Sequence, residues 1–538
     1  MTERDDIVRR LQALEPLIRK LCGICGVPGV SLGVVLSGDV IFRLNLGYRN
    51  LETSAATDSD TVYPIGTIAK TFTASAIGIL VSEGKLSWNT LIRDILPEFR
   101  SRDLTISQNL TVLDLLCHRG GLARSNQWWQ GAGGELLQEK RQTIPFYSTL
   151  EPVGTFRSDW AYSNWGYAIL GEVIERASGL RYGDFLSKRI FQPLELDCTT
   201  TAEPVAANKH NVAKPYAALD DATLHPLPQP PVHGNAIMVP AMGISSSLND
   251  LCKYAIALLH AQRTECRGGN TSHLVLQNAK THLAGHIFTA QGTMEKSYAC
   301  GFYRSQLPST VMGMGWNSIY VKKMPTIIPR GHCGPLIAHG GSLPGYHSAI
   351  ALLPELEAGV VVCTNSIGLG DASGWISMAL VEALIDSPNP TDFTQYATEA
   401  AIGHVNSVPA LQDKLRKAKR SSMFVPPRPL SQYTGRYRDA DRDWVIDIRH
   451  RDAGHLEVLF QGLESQVWPL TYYEDDTFLW LTERNEQARR GRMTTYPQGD
   501  VFKLIFMGNG SLIDRVCWPQ EPGLAKEKQC FTKEETAQ

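Results

Sequence analysis

The strongest constraint on the fold is a change of pattern at residues 421–429, which hold Pro426, Pro427 and Pro429. Proline removes a backbone donor and fixes φ, so such a stretch ends regular elements and marks a linker. Before it, helix-period runs alternate with short apolar runs. After it come short runs at 433–438, 444–448, 456–460, 467–473, 477–481, 490–495, 501–506 and 512–518, each bounded by turn residues. The spacing predicts an α/β (α+β) domain, an antiparallel sheet flanked by helices, followed by a small antiparallel β-barrel. The expected boundaries are 1–386 for the larger domain, 387–428 for a helical connector and linker, and 429–538 for the barrel.

Composition narrows the partners. Hydrophobic residues are 43% and charged residues 20% of 538, with a net charge of −2 and no long run of one sign. Nothing there suggests nucleic acid or an anionic membrane as the main partner. Ile7, Leu11, Leu14, Leu17, Ile18 and Leu21 recur at helical spacing, as in a surface helix and not a signal core. No run reaches the roughly 18 apolar residues of a membrane span. The eleven cysteines are scattered. Cys22-x-x-Cys25 has no second pair at zinc spacing, so neither a metal nor another cofactor is expected. The sequons at Asn109, Asn270 and Asn509 carry no weight without secretion. A reducing, cytoplasmic location is the expectation, and homo-oligomerisation stays open.

The chemistry centres on residues 64–74, where an extended segment runs into a long apolar helix reaching about Leu80. Thr67 sits at the helix start and Lys70 projects from the same face one turn on. Backbone N–H groups at a helix N-terminus stabilise developing negative charge, and a desolvated lysine can act as a base. Two other stretches share the hydroxyl-x-x-Lys spacing. Ser82–Lys85 lies at the helix end, where the dipole has the wrong sign, and Thr293–Lys296 has no strand before it.

In chain order, 30–35 and 40–46 flank Ser37-Gly38-Asp39 as a hairpin. Residues 110–116 lead into the turn from Cys117 through His118 to Leu122, where His118 reads as structural. Residues 124–149, with Trp128 and Trp129, read as an irregular loop over the site. Tyr162-x-Asn164 opens a helix at 166–177. Ser247 and Asp250 suggest a capping box for a helix at 248–259. Strands are expected at 299–303, 336–339, 347–353 and 359–364, then a helix at 376–385. Tyr48-x-Asn50 also fits the Tyr-x-Asn pattern, but it precedes Thr67 and follows a strand.

Thr67-x-x-Lys70, Tyr162-x-Asn164 and His339-Gly340-Gly341 occur in this order on a helix, a helix start and a strand. Over roughly residues 10–385 the chain thereby resembles the class C β-lactamases, related penicillin-binding proteins and esterases, and the acyltransferase of lovastatin synthesis. The resemblance implies Thr67 as nucleophile, Lys70 as base, and Tyr162 sharing the proton if Lys70 lowers its pKa. Asn164 would bond Lys70 and the substrate, and an acyl group would lie along His339, Gly340, Gly341 and Ser342. The N–H groups of Thr67 and Ser342 would form an oxyanion hole, about 3 kcal/mol per donor. Trp128 and Trp129 either line the substrate pocket or pin the loop.

The family's nucleophile is serine, and the methyl on Thr67 stiffens χ1 and crowds a tetrahedral intermediate. Long inserts at 124–149, 204–231 and 263–330 point to a roomy apolar pocket. The expected activity is hydrolysis or acyl transfer on an ester, thioester or lactone of a small apolar, secondary metabolite. The alternative is a non-acylating pocket protein, an isomerase, cyclase or ligand-binding pseudoenzyme. The barrel, lipocalin-like in plan in some relatives, would cover the catalytic mouth through residues 483–492 or mediate self-association.

Overall fold

The computed structural model describes residues 3–204, 211–310, 315–331, 334–420, 424–439, 441–492, 499–508 and 512–535. One nine-stranded antiparallel sheet organises the first part. Its strands are β1 (Gly29–Leu36), β2 (Asp39–Asn50), β3 (Ala55–Ala56), β4 (Ile287–Phe288), β5 (Lys296–Tyr298), β6 (Tyr303–Gln306), β7 (Pro335–Leu343), β8 (Tyr346–Leu353) and β9 (Ala358–Thr364). Their spatial order is β3-β2-β1-β9-β8-β7-β6-β5-β4. The β1–β2 turn takes positive φ at both Ser37 and Gly38, the twist a two-residue hairpin favours.

Strands β8 and β9 are buried along their whole length. The sheet's period of two sends Ile350, Leu352 and Val361 into one core and Ala351, Leu353, Val360 and Val362 into another. The first core holds the helices α1 (Ala69–Ser82), α2 (Asn164–Ser178) and α3 (Leu248–Cys266); the second holds α4 (Ala372–Leu384) and the N-terminal helices. Cys22 and Cys25 are buried in that second core, with their thiols pushed up by burial. Among the described residues no His, Cys, Asp or Glu group has the arrangement of a metal site, and no helix is long and apolar enough to cross a membrane.

Several boundaries differ from expectation for local reasons. The N-terminal helix is two, Glu3–Gln12 and Glu15–Cys25, because Pro16 opens a new one. Residues 299–302 form the β5–β6 turn with Gly301 at positive φ, so the expected strand at 299–303 begins only at Tyr303. Half of the expected capping box forms: Ser247 caps Asp250 N–H, while the Asp250 carboxylate bonds Cys198 N–H and Thr199.

The second part is a closed eight-stranded antiparallel barrel from Gly435–Asp439 to Cys530–Lys533. Its last strand was not legible in the sequence. Of the strand expected at 490–495, residues 493–495 lie outside the described residues, and 490–492 form a turn after a helix, Arg484–Arg489. Cys517 and Cys530 are register partners joined by a disulfide, where the sequence had suggested reduced thiols.

The two parts share one hydrophobic core. Trp128 packs edge-on to Trp444 of the barrel at 5.2 Å and lies 5.6 Å from Phe531. On its other side it meets Phe146, which stacks on Trp165 of α2 at 4.4 Å. Trp128→Ala should therefore cost about 3–5 kcal/mol, with both parts unfolding in one transition. A urea midpoint unchanged within error would contradict that joint core.

Candidate active site

A short strand, Val62–Pro64, pairs with Ser245–Ser247 and leads into a 3-10 turn, Gly66–Ile68, that flows into α1. Gly66 has φ 56°, and a Cβ there would lie 2.5 Å from the Ser342 nitrogen on β7. The turn thus needs glycine twice, for its backbone and for close approach to the strand. Gly66→Ala should lose more stability than the about 1–2 kcal/mol of left-handed strain, because Ser342 must also shift. An unchanged denaturation midpoint would refute that close fit.

Thr67 Oγ1 donates to the Gly340 carbonyl at 2.7 Å. Alternation along β7 then turns the N–H of Ser342 to the same open edge, toward Thr67. His339 is buried and fully partnered, its Nδ1 against Gly340 O at 2.7 Å and its Nε2 against the Tyr298 hydroxyl at 3.2 Å. A carbonyl only accepts, so Nδ1 carries the proton and Nε2 receives Tyr298. Burial first, then Lys70, pushes the His339 pKa down to about 3, leaving it neutral. It therefore supports the Gly340 carbonyl from behind, where the sequence had suggested a direct substrate contact. The glycine at 341 is required by packing: a Cβ would lie 2.0 Å from the Ile65 carbonyl.

Lys70 is completely buried, and its Nζ donates to Asn164 Oδ1 at 2.7 Å and to the Ala241 carbonyl at 3.0 Å. The Tyr162 and Tyr167 rings lie 5.0 and 5.3 Å away. With no carboxylate partner among the described residues, burial holds the Lys70 pKa well below its ordinary value. Tyr162 shares a hydrogen bond with Thr67, yet burial is the dominant cause and raises its pKa. The expected lowering by Lys70 is absent: the phenol is a neutral donor and acceptor, not a phenolate base. Desolvation disfavours the charged form of both groups.

His118, at positive φ, packs with its ring tilted against Tyr162 at 4.3 Å and accepts from the Ser163 N–H on Nδ1 at 3.1 Å. It fixes the segment carrying Tyr162 and Asn164, the structural role its sequence context suggested. Ser163 caps α2 through Gly166 N–H, which sets Asn164 at the first turn.

Trp128 and Trp129 do not line an open pocket; both are only 2% exposed. Trp128 joins the core shared with the barrel. Trp129 donates its indole N–H to Asn126 Oδ1 at 3.1 Å, and that oxygen also receives Asn164 Nδ2 at 3.2 Å. Residues 124–149 are consumed in turns and a helix, Thr143–Ser148, packed on the barrel. A cavity of about 330 Å³ opens elsewhere, between α2 and Thr199–Thr201. Sequence reasoning missed Asn126, Ala241 and Tyr298. The first lies where no periodicity marks it, the second acts through its backbone, and the third stands on a strand edge with no motif.

A family model described as Beta-lactamase matches residues 6–382. The chain belongs to the β-lactamase family. Residues 6–382 thus carry a β-lactamase-like fold. A second model, a domain of unknown function (DUF3471), matches residues 419–511. A penicillin-binding protein 4 of Amycolatopsis lactamdurans is 32% identical over 38% of this chain, and the chain spans about half, 52%, of that relative. An unguisins hydrolase of Aspergillus campestris is 23% identical over 76% of this chain and 72% of its own length. Among solved structures, the octameric penicillin-binding protein homologue from Pyrococcus abyssi superposes with a TM-score of 0.58 at 20% identity, over 95% of this chain and 99% of that one.

Proposed function

We propose that this β-lactamase-family enzyme is a hydrolase or acyltransferase for an ester, thioester or lactone of a small apolar secondary metabolite. Thr67 is its nucleophile, Lys70 its base and Tyr162 its proton shuttle. The observation that carries this reading is the buried Lys70, its pKa lowered by burial, bonded to Asn164 and Ala241 beside the Thr67–Tyr162 pair.

At rest the Thr67 proton points to the Gly340 carbonyl. A substrate entering along the open edge of β7 displaces that hydrogen bond and turns the hydroxyl toward Tyr162. Oγ1 then bonds the acyl carbon while its proton passes through Tyr162 to Lys70. The N–H groups of Thr67 and Ser342 hold the oxyanion. The leaving alcohol or thiol takes the proton back. Water then resolves the acyl-enzyme in hydrolysis, and an alcohol does so in transfer.

The names of the Aspergillus relatives, unguisins hydrolases aligned over 76% and 82% of this chain, favour a secondary-metabolite substrate. We take the catalytic unit as 1–386, the connector as 387–428 and the barrel as 429–538, in a cytoplasmic protein. Self-association follows by analogy with the octameric homologue. Stopped-flow hydrolysis of a panel of nitrophenyl esters, thioesters and lactones tests the reading. A burst of leaving group near one equivalent per chain is expected, followed by slow turnover. No burst and no turnover across the panel would contradict it.

A further inference from the structure

We propose that Trp129 and Asn126, held by the C-terminal barrel, are positioning residues that decide which atom Asn164 turns toward Lys70 and so keep the Lys70 lone pair free for the Thr67 proton. The inference rests on Lys70 being the base of the acyl transfer proposed above.

The argument is one of hydrogen-bond polarity. An indole N–H can only donate, so the Asn126 atom that meets Trp129 at 3.1 Å must be its oxygen. That oxygen then accepts from Asn164 as well, so Asn164 must present its NH2 to Asn126 at 3.2 Å. Its own oxygen is left for Lys70 at 2.7 Å. An uncharged amine has two N–H bonds and one lone pair. Asn164 Oδ1 and the Ala241 carbonyl take the two N–H bonds. The lone pair is the remaining valence, available to the Thr67–Tyr162 pair. If Asn164 were turned over, its NH2 would meet the amine and consume that lone pair.

Asn126 is placed by a loop that the barrel grips at several points. Ser125 N–H donates to Glu521 Oε2 at 2.7 Å, Trp444 Nε1 to the Trp128 carbonyl at 3.1 Å, and Ala132 N–H to Gln466 Oε1 at 2.7 Å. The same loop is tied back to α2, where Trp165 Nε1 donates to the Ser125 carbonyl at 3.2 Å. The barrel thus reaches the base through side chains that do not touch the substrate.

The test uses the full-length chain and ester turnover as a function of pH. Asn126→Ala and Trp129→Phe each free Asn164 to turn over. In both, kcat should fall on the order of ten- to a hundredfold with KM little changed. The acid limb of the kcat profile should move to lower pH, because an N–H pointed at Lys70 disfavours its ammonium form. Asn126→Asp keeps an acceptor facing both Trp129 and Asn164. It should restore most of kcat and move the acid limb to higher pH, since its charge favours the ammonium. Gln466→Ala, on the barrel side, should move the limb in the same direction as Asn126→Ala by a smaller amount.

A loss of kcat without movement of the limb, or unaltered kinetics in both Asn126→Ala and Trp129→Phe, would overturn the proposal. An unmoved limb in Gln466→Ala would remove the barrel from it. The Lys70 titration followed by NMR of 13C-labelled lysine reads the same shifts without turnover. Failure of the polarity chain is thereby distinguishable from failure of Thr67 acylation.

Discussion

Thr67→Ala leaves a folded protein whose ester turnover is slower by at least about 10⁴-fold. The Oγ1 of Thr67 is the atom that faces the open edge of β7 while sharing a hydrogen bond with Tyr162. Without it no covalent intermediate forms, and the oxyanion donors act only on a weakly held water. Thr67→Ser restores the family's usual nucleophile and removes the methyl that stiffens χ1. Its acylation should equal or exceed that of the unaltered enzyme. The competing reading, a pocket that forms no acyl-enzyme, requires Thr67→Ala to keep most of its activity and its ligand affinity. Comparison of the two variants under single-turnover conditions decides between them.

Lys70→Arg removes nearly all activity, by about 10³-fold or more. A guanidinium does not give up its proton, and here it would be forced into a buried site where no described carboxylate pairs with it. The pH dependence has a definite sign. Burial lowers the Lys70 pKa, so the protonated and inactive form prevails at low pH. Activity should rise with pH through that lowered value and reach a plateau below the ordinary range of a lysine. Tyr162 supplies no acid limb of its own, because burial drives its pKa upward. Activity that falls as pH rises through neutrality, or an arginine variant with unaltered rates, would take Lys70 out of the chemistry.

The architecture was legible wherever one period ruled a segment. The hairpin at Ser37-Gly38, the helices starting at Ala69, Asn164 and Leu248, the strand pair β8–β9 and the barrel beyond Pro429 all follow from local pattern and turn chemistry. The juxtaposition of Thr67 and Lys70 with Tyr162 and Asn164 was legible only through the resemblance to the β-lactamase family; local spacing alone placed Lys70 one turn after Thr67. The roles of Trp128, Trp129 and His339 were not. An aromatic or imidazole ring reads alike in sequence whether it faces a pocket, a domain junction or a strand carbonyl. The direction of the Tyr162 shift was misread for a related reason: desolvation of the phenol outweighs any nearby amine, and burial is a property of the assembled fold. The reach of residues 483–492 was anticipated from length, and Arg484 does bond Asp220 and the Ala218 carbonyl across the junction. What length could not convey is that the barrel grips the very loop that carries Asn126.

The central claim is a covalent bond to Thr67, and intact mass spectrometry of the full-length chain after brief incubation with an activated acyl thioester tests it most directly. The account predicts a single acyl adduct that peptide mapping places on Thr67, absent from Thr67→Ala and slow to form at low pH. An unmodified chain that still consumes the thioester, or an adduct mapped to any other residue, would contradict it.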